Sequence, residues 1–159
     1  TTVLGNPPYR GFAALAAART PADPPVAFAV NAGMFDEEGK PIGYYVRGGE
    51  RGKELNRNEG AGNFHMKPNG VFFGTGSRWQ VLAADAFYAT VSERPEFGTQ
   101  SGPMLLVDGK LHPEITDDGP SRTTRNGVGV DDAGRAHFVI SEGPVSFGKL
   151  ARFYRDRLK

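Results

Sequence analysis

The amino-acid sequence predicts an α+β domain made mostly of antiparallel or mixed β-strands with a few helices. Its 22 glycines and 12 prolines fall between short segments, which is typical of strands joined by many turns. The stretches "VDGKL" and "VDDAGRA" carry the Asp-Gly and Asp-Asp-Ala-Gly chemistry of tight hairpin turns. Helical patterns occur only near the two ends of the chain, which argues against a regular βαβ array.

The first predicted elements are a helix and a strand. Residues 11–20 are alanine-rich and predict a short helix that Pro21 ends. Residues 26–30 are apolar at every position, as expected for a strand that is buried on both faces. Further strands are predicted in "IGYYVRGG", "NGVFFG", "RWQVLAA", "GPMLLVDGK", "GVGVDDAG" and "RAHFVISEG".

The last stretch, "SFGKLARFYRDRLK", predicts the clearest helix. Its apolar residues recur at three- and four-residue spacing and form one stripe, and Ser146 is a suitable N-cap. Lys149, Arg152 and Arg155 fall on other faces of this helix, which we interpret as a solvated surface.

Length and composition limit the class of protein. With 159 residues and 38% hydrophobic content, residues 1–159 suffice for one domain with a core. The 19 basic and 18 acidic residues leave a net charge of +1, which is too balanced for a nucleic-acid partner. The absence of cysteine excludes disulfides, thiolate nucleophiles and cysteine-ligated zinc. No run approaches the roughly 18 apolar residues of a transmembrane span.

Four stretches carry residues that are suited to chemistry, and the first is "VNAGMF". Asn31 and Gly33 follow the predicted apolar strand, where a core meets a cleft, and glycine lets the backbone approach a ligand closely. The alternative is that both residues only make a turn.

The second stretch is "NFHMKPNG". On a strand, Asn63, His65, Lys67 and Asn69 share one face because the side-chain period is two. That face presents amides, an imidazole and an ammonium, which suit sugar hydroxyls and a phosphate. The alternative is the exposed face of an edge strand, which Pro68 favours.

The third stretch, "TQSGPM", precedes an apolar run. Gln100 and Ser101 supply small polar groups, and Gly102 opens a Gly-Pro turn. The surroundings of Ser101 do not match the G-x-S-x-G pattern of a serine nucleophile. These residues are therefore interpreted as binding groups.

The fourth stretch is "SRTTRNGVG". Arginine offers a planar fork of donors for phosphate or carboxylate, and Gly127 and Gly129 leave room beside it. Arg125 adjoins a predicted strand and is the stronger candidate, whereas Arg122 has a solvent-facing alternative.

One hairpin later, Ser141 and Glu142 stand at the far end of another apolar strand. A carboxylate at a strand end can be tuned for acid, base or metal chemistry. An ordinary surface glutamate is the alternative.

Taken in order, "NAGMF", "NFHMKPNGVFF", "TQSGPMLLVDGKLHP", "SRTTRNGVGVDDAG" and "VISEGPVSFGKLARFYRD" resemble the phosphodiester glycosidase family. The resemblance implies hydrolysis at the anomeric carbon of a sugar joined through a phosphodiester. It matches Asn31 and Gly33 to the family's first motif, and Ser101 and Gly102 to its Ser-Gly-Pro motif. On this basis Arg125 holds the diester phosphate. We assign Glu142 as the base that activates water or as a charge stabiliser.

The resemblance has departures and leaves alternatives. Ala32 and Met34 replace a glycine and an aromatic of the family motif, and Asn126 and Gly127 follow Arg125 where the family has Thr-Ala. Family members continue past the last helix, and the strands that precede "GFAALAAA" in the family are short or missing here, so the chain is expected to be truncated at both ends. The rival function is a noncatalytic module that binds anionic glycans or exopolysaccharide and needs no positioned carboxylate.

Several properties are left open by the sequence. His65 and the scattered acidic residues have no recognised metal-ligand spacing, but a divalent cation such as calcium, held by loop oxygens, leaves little trace in a sequence. The start of the chain lacks the basic and apolar regions of a signal peptide, and a periplasmic or secreted location is favoured all the same. The expected ligand is a small sugar phosphodiester or an anionic glycan. The oligomeric state is open.

Overall fold

The computed structural model describes Tyr9 and residues 11–158. The start of the chain, in which a signal peptide was sought, therefore lies largely outside the described residues. In the described part the elements follow in the order α1 (Phe12–Ala17), β1 (Tyr45–Arg47), β2 (Glu50–Lys53), a 3-10 helix (Asn63–His65), β3 (Gly70–Thr75), β4 (Arg78–Ala83), α2 (Ala84–Thr90), β5 (Phe97–Ser101), β6 (Leu106–Val107), β7 (Lys110–Leu111), β8 (Asn126–Val130), β9 (Ala136–Ile140) and α3 (Phe147–Arg157). The predicted α+β class is confirmed.

A five-stranded antiparallel sheet in the order β2-β1-β5-β3-β4 forms the centre of the fold. One face of this sheet carries the main core because side chains alternate between the faces of a strand. The core consists of buried apolar residues from β1, β3 and α2, together with the residue before β1: Tyr44, Val46, Val71, Phe73 and Phe87. The ring of Phe87 lies 4.9 Å from the rings of both Tyr44 and Phe73, so α2 closes this face.

The other face of the sheet is covered in part by the β8–β9 hairpin. Phe72 on β3 stacks on Trp79 with the ring centroids 5.0 Å apart. The Phe72 and Phe138 rings are nearly perpendicular, with their centroids 5.7 Å apart, so β9 contacts β3 here. The hairpin itself is the antiparallel pair predicted from the Asp-Asp-Ala-Gly turn, with Val128 opposite Phe138. The second predicted turn is also confirmed, with Asp108 and Gly109 both at positive φ between β6 and β7.

Helix α3 packs on the face of the hairpin that points away from the sheet. Its predicted N-cap is confirmed, since the Ser146 hydroxyl accepts from the Lys149 amide at 3.1 Å. A β-carbon on Gly127 or Gly129 would lie 3.2 Å or 2.8 Å from the Tyr154 ring. The expectation that these glycines leave room beside Arg125 is therefore wrong, because the room is occupied by Tyr154.

Residues 26–30 correct another expectation. They form no strand, and Val26 and Phe28 remain 48% and 50% exposed. A strand buried on both faces needs hydrogen-bonding neighbours, and within residues 11–158 no strand pairs with this segment. Helix α1 covers only the middle of the predicted 11–20 run, and none of its residues is buried.

Candidate functional site

The segment around Gly33 crosses directly over the central strand β5. The Gly33 amide donates to the Thr99 hydroxyl at 3.1 Å. A β-carbon on Gly33 would lie 2.6 Å from the Gln100 carbonyl oxygen, so a larger residue would force the two segments apart. The first predicted motif thus contacts the third through a close backbone approach, and that approach is made to the protein's own strand.

Gln100 is the hub that holds the loop of residues 56–69 against the sheet. Its side-chain oxygen accepts from the Tyr44 and Asn56 amides at 2.9 and 3.0 Å. Its side-chain nitrogen donates to the Asn56 carbonyl at 2.7 Å and to the Asn69 side-chain oxygen at 3.3 Å. Gln100 and Asn69 are 1% and 2% exposed, and their hydrogen bonds are made within the protein. Their contact with a substrate stays a prediction.

The stretch that contains Asn63 and Asn69 is not a strand. Residues Asn63–His65 form a 3-10 turn, so the four polar residues predicted to share one strand face do not. Close packing fixes this shape, because a β-carbon on Gly102 would lie 2.7 Å from the Phe64 carbonyl oxygen and 2.8 Å from that of Asn63. Asn69 donates from Nδ2 to the Phe64 carbonyl at 2.8 Å and is buried. The third motif therefore packs on the second.

His65 and Lys67 point instead to the preceding loop. The Nδ1 atom of His65 lies 3.1 Å from the Asn58 carbonyl oxygen. Lys67 donates from Nζ to the Arg57 carbonyl at 3.0 Å and forms an ion pair with Glu59. A cavity of about 280 Å³ lies beside Arg57 and Lys67. Sequence analysis missed Arg57, which gives no periodic signal in an irregular loop.

Two asparagines join the first motif to the fourth. The side-chain oxygen of Asn31 accepts from Nδ2 of Asn126 at 2.6 Å. Asn126 begins β8 and was noted in the sequence only as a departure from the family motif. Strand alternation could have identified it, because it must face away from its neighbour Arg125.

Arg125 is fixed by contacts on several sides. Its backbone pairs with Ser141, whose hydroxyl accepts from the Arg125 amide at 2.9 Å. The guanidinium donates from Nε to the Val145 carbonyl at 2.9 Å and from Nη2 to the Ser121 carbonyl at 3.0 Å. Its Cζ atom lies 3.7 Å from the centre of the Phe147 ring. The fork is thus preorganised by groups that carry no negative charge.

The electrostatics of Arg125 follow from this setting. Partial burial lowers its pKa, since desolvation disfavours the charged form, but a guanidinium stays protonated near neutral pH. Among the residues that the structure describes, no carboxylate forms an ion pair with it, and no acceptor is bonded to Nη1. A half-buried guanidinium that has no carboxylate partner among the described residues is suited to an anionic ligand.

The other predicted charges are arranged differently. Arg122 is exposed and bonds from Nη2 to Asp118 at 2.7 Å, and Asp118 also accepts from the Ser146 hydroxyl. That hydrogen bond from Arg122 lowers the pKa of Asp118. Glu142 is exposed, and within residues 11–158 it has no hydrogen bond or ion pair. Neither Arg122 nor Glu142 contacts Arg125, whereas Ser141, which precedes Glu142, bonds to its backbone.

A groove of about 530 Å³ runs between the end of β9 and α3. Its lining includes Ser141 and Val145, which both contact Arg125. Lys149 and Arg152, interpreted from the sequence as part of a solvated surface, also line this groove. Arg152 is paired with Asp117 at 2.6 Å. The basic side of α3 therefore adds positive charge beside the residues that hold Arg125.

The described residues form neither a cluster of metal ligands nor a membrane-spanning helix. No three His, Asp or Glu side chains in this part of the chain gather closely enough to hold a metal ion, and calcium binding stays a prediction. None of the described helices has the length and apolar character needed to cross a membrane.

The contacts described above join four motifs that are separated in the sequence. Comparison with known proteins shows which family has these motifs. Residues 25–158 match the family model described as phosphodiester glycosidase. The chain belongs to the phosphodiester glycosidase family. The match includes every predicted site residue from Asn31 to Glu142, so the resemblance inferred from the ordered motifs is confirmed.

One relative in this family is the Escherichia coli (strain K12) protein named "Uncharacterized protein YigE". It is 36% identical over 133 residues, which cover 84% of this chain and 52% of that protein. The chain therefore spans about half the length of the curated relative it matches. No solved structure matches the chain.

Proposed function

We propose that the chain is a hydrolase that releases a sugar from a phosphodiester by cleavage at the anomeric carbon. Family membership supports a hydrolase of this kind. The observation that carries the proposal is the condition of Arg125. It is half-buried, fixed by neutral groups and, among the described residues, without a carboxylate partner.

The phosphate of the diester is the anion expected at Arg125. Arginine suits this role because its planar fork donates two parallel hydrogen bonds to phosphate oxygens. The Nη1 side of the fork is the side on which no described residue accepts a bond. Lys149 in the adjoining groove adds positive charge, which favours the approach of the same anion.

The reaction needs little proton transfer to the leaving group. The bond between the anomeric carbon and the phosphate oxygen breaks, and its electron pair stays on the departing phosphate monoester. A water oxygen forms the new bond to carbon, and Glu142 accepts the proton of that water. Holding the phosphate charge and stabilising an oxocarbenium-like sugar then supply most of the catalysis.

The remaining predicted residues take binding roles. Asn31 and Ser101 offer small polar groups to the sugar hydroxyls. Gly33 and Gly102 keep the crossing segments close to β5 and to the 3-10 turn.

On the side of the second motif, Asn63, His65 and Lys67 are proposed contacts for the more distant part of the substrate. The Lys67 side chain is 35% exposed, which leaves it accessible for such a contact. Arg122, which is also exposed, is proposed as an outer contact for the phosphate or its alcohol.

A noncatalytic module for anionic glycans is the second candidate. The observation that favours it concerns Glu142, which no described residue holds by a hydrogen bond or ion pair. A binding module would use the same arginine and amides but would not need a positioned carboxylate.

Hydrolysis of a phosphodiester of N-acetylglucosamine 1-phosphate tests the proposal, with free sugar measured as the product. Arg125→Ala should lower kcat/KM by about 100- to 1000-fold, the range for loss of one group that stabilises transition-state charge. Arg78→Ala is the matched control, because Arg78 is an exposed arginine on β4. Kinetics of Arg125→Ala that match those of the control would remove Arg125 from the mechanism.

Glu142→Gln separates the two candidates. Loss of turnover with retained diester binding supports hydrolysis with Glu142 as the base, and Glu38→Gln serves as an exposed control. If neither the unaltered chain nor any variant releases sugar, but the diester still binds in an Arg125-dependent manner, the binding module replaces the hydrolase.

A further inference from the structure

Two half-exposed aromatic rings lie together on the face of the β8–β9 hairpin that is turned toward the sheet. Phe28 and Phe138 are 50% and 48% exposed, and their ring centroids are 6.0 Å apart. Phe138 is also in contact with Phe72 of the sheet, whose ring is nearly perpendicular to it with the centroids 5.7 Å apart. Ile140, two residues further along β9, is 54% exposed. Exposed apolar side chains that are contiguous in this way commonly mark a binding surface.

The amide pair Asn31 and Asn126 lies on the same face of the hairpin. Asn126 is opposite Ile140 in the strand register, and Val128 is opposite Phe138, so all four point to one side. The aromatic and amide pairs are therefore two strand positions apart, about 6.6 Å at the usual rise per residue. The segment from Phe28 to Asn31 follows the hairpin, with Phe28 beside Phe138 and Asn31 bonded to Asn126.

This combination of groups fits a carbohydrate better than a purely apolar ligand. A pyranose ring has a face of C–H groups and a rim of hydroxyls. Aromatic rings offer an apolar, electron-rich surface to the C–H face, and amides offer hydrogen-bond donors and acceptors to the hydroxyls. Binding sites for small molecules typically join an aromatic wall with a few polar groups in this manner.

We propose that Phe28 and Phe138 form a platform on which a pyranose ring of the ligand packs, with the Asn31–Asn126 pair bonding its hydroxyls. The proposal rests on the proposed function in taking a carbohydrate as the ligand, and it assigns the sugar to a surface distinct from the phosphate contact at Arg125. Ile140 connects the two regions, because it belongs to this face and also lines the groove beside α3.

The test uses a probe without charge. The methyl α-glycoside of N-acetylglucosamine is titrated into the chain, and its dissociation constant is measured by NMR, with saturation transfer from the aromatic protons. The unaltered chain should bind the glycoside and saturate its ring protons. Phe28→Ala should raise the dissociation constant about threefold to tenfold, the range expected for an aromatic contact. The binding of inorganic phosphate should not change.

Phe28 is the preferred position because it lies outside any helix or strand and is half exposed. Phe153→Ala is the matched control, since Phe153 is 44% exposed and belongs to α3, the helix that packs on the opposite face of the hairpin. Thermal melts of both variants verify that the fold is retained. No glycoside binding by the unaltered chain, or equal binding by Phe28→Ala and Phe153→Ala, would overturn the platform.

The outcome is separable from that of the proposed hydrolysis. Phe28-dependent glycoside binding without any sugar release supports the platform and removes the hydrolase. Sugar release with the same KM and kcat in Phe28→Ala supports the hydrolase and removes the platform.

Discussion

Gly129 lies against the ring of Tyr154, and a β-carbon added to it would lie 2.8 Å from Cδ1 of that ring. Gly127 has the same relationship to Tyr154 at 3.2 Å. The alternation of glycine and valine in "GVGV" therefore presents a smooth surface to α3 and valine side chains to the opposite face. Helix α3 sits close to the hairpin because of these two glycines, and it is α3 that carries Phe147 beneath Arg125.

Gly129→Ala should destabilise the chain by about 1–3 kcal/mol, the cost of overpacking a well-filled contact. The Tyr154 ring cannot yield easily, because its position on α3 is buried. Chemical denaturation measures the free energy of unfolding. Gly143→Ala is the control, since a β-carbon there meets nothing within 4 Å. Equal stability of the two variants would show that α3 does not press on β8.

Tyr154 should make the free energy of unfolding decrease at alkaline pH. Burial raises the pKa of its hydroxyl above the ordinary value of 10. The unfolded chain therefore ionises at a lower pH than the folded chain, and the free energy of unfolding should fall as the pH rises above about 10. Denaturation curves between pH 8 and 11 should show a weaker fall for Tyr154→Phe. An identical fall in both proteins would assign the effect to other groups.

Asp131 should make the free energy of unfolding decrease at acidic pH. Its carboxylate is 2% exposed and accepts from His137, from the amides of Arg135 and Ala133, and from the Arg135 side chain. These contacts, first the one from His137, hold its pKa well below the usual range. Stability from this group is present above about pH 4, the pKa of aspartate in an unfolded chain, and is lost as the pH falls towards the folded value.

Asp131→Asn should therefore lower the free energy of unfolding at neutral pH and flatten its dependence on acidic pH. Asp132→Asn, a change at the exposed neighbouring residue, should leave both properties as they are. If the two variants have the same pH profile, the turn does not depend on the charge of Asp131.

Gln100→Leu should be among the more damaging single changes. The substitution leaves the amides of Tyr44 and Asn56 and the Asn56 carbonyl without their buried partner. Each unpaired buried group costs about 1–3 kcal/mol, so the loss of these partners is expected to cost at least about 3 kcal/mol. Thermal denaturation with Gln80→Leu, an exposed position on β4, as the control checks this value.

Local signals predicted some elements well. The stripe of apolar residues and the serine cap suffice for α3, and the Asp-Asp-Ala-Gly turn suffices for the β8–β9 hairpin. In each case the residues that determine the structure lie within a few positions of one another.

The central strand β5 has no counterpart among the predicted strands. Thr99 and Gln100 were interpreted as polar binding groups, which is the usual meaning of such residues outside an apolar run. Gln100 is nevertheless buried, because its partners Tyr44 and Asn56 come from 56 and 44 positions away. The strand predicted at residues 26–30 is wrong for a related reason. An apolar run forms a strand only where another strand pairs with it, and that pairing depends on distant parts of the chain.

The sequence indicated which motifs meet, but it did not indicate how their side chains are arranged. The contacts of Asn31 with Asn126 and of Arg125 with Ser141 join motifs that the ordered resemblance had brought together. The directions of Lys67 and Arg122 could not be predicted, because each depends on an exposed carboxylate, Glu59 or Asp118, within its own loop.

The contacts that hold Arg125 link the binding of an anion there to the stability of α3. Val145 and Phe147, which help to fix the guanidinium, belong to the segment that leads into α3 and to its first turn. An anion that binds this fork in the folded chain only must stabilise the folded state by mass action. Ligand occupancy and the docking of α3 are thus reciprocally linked, so that protection of the α3 amides from hydrogen exchange becomes a measure of occupancy at Arg125.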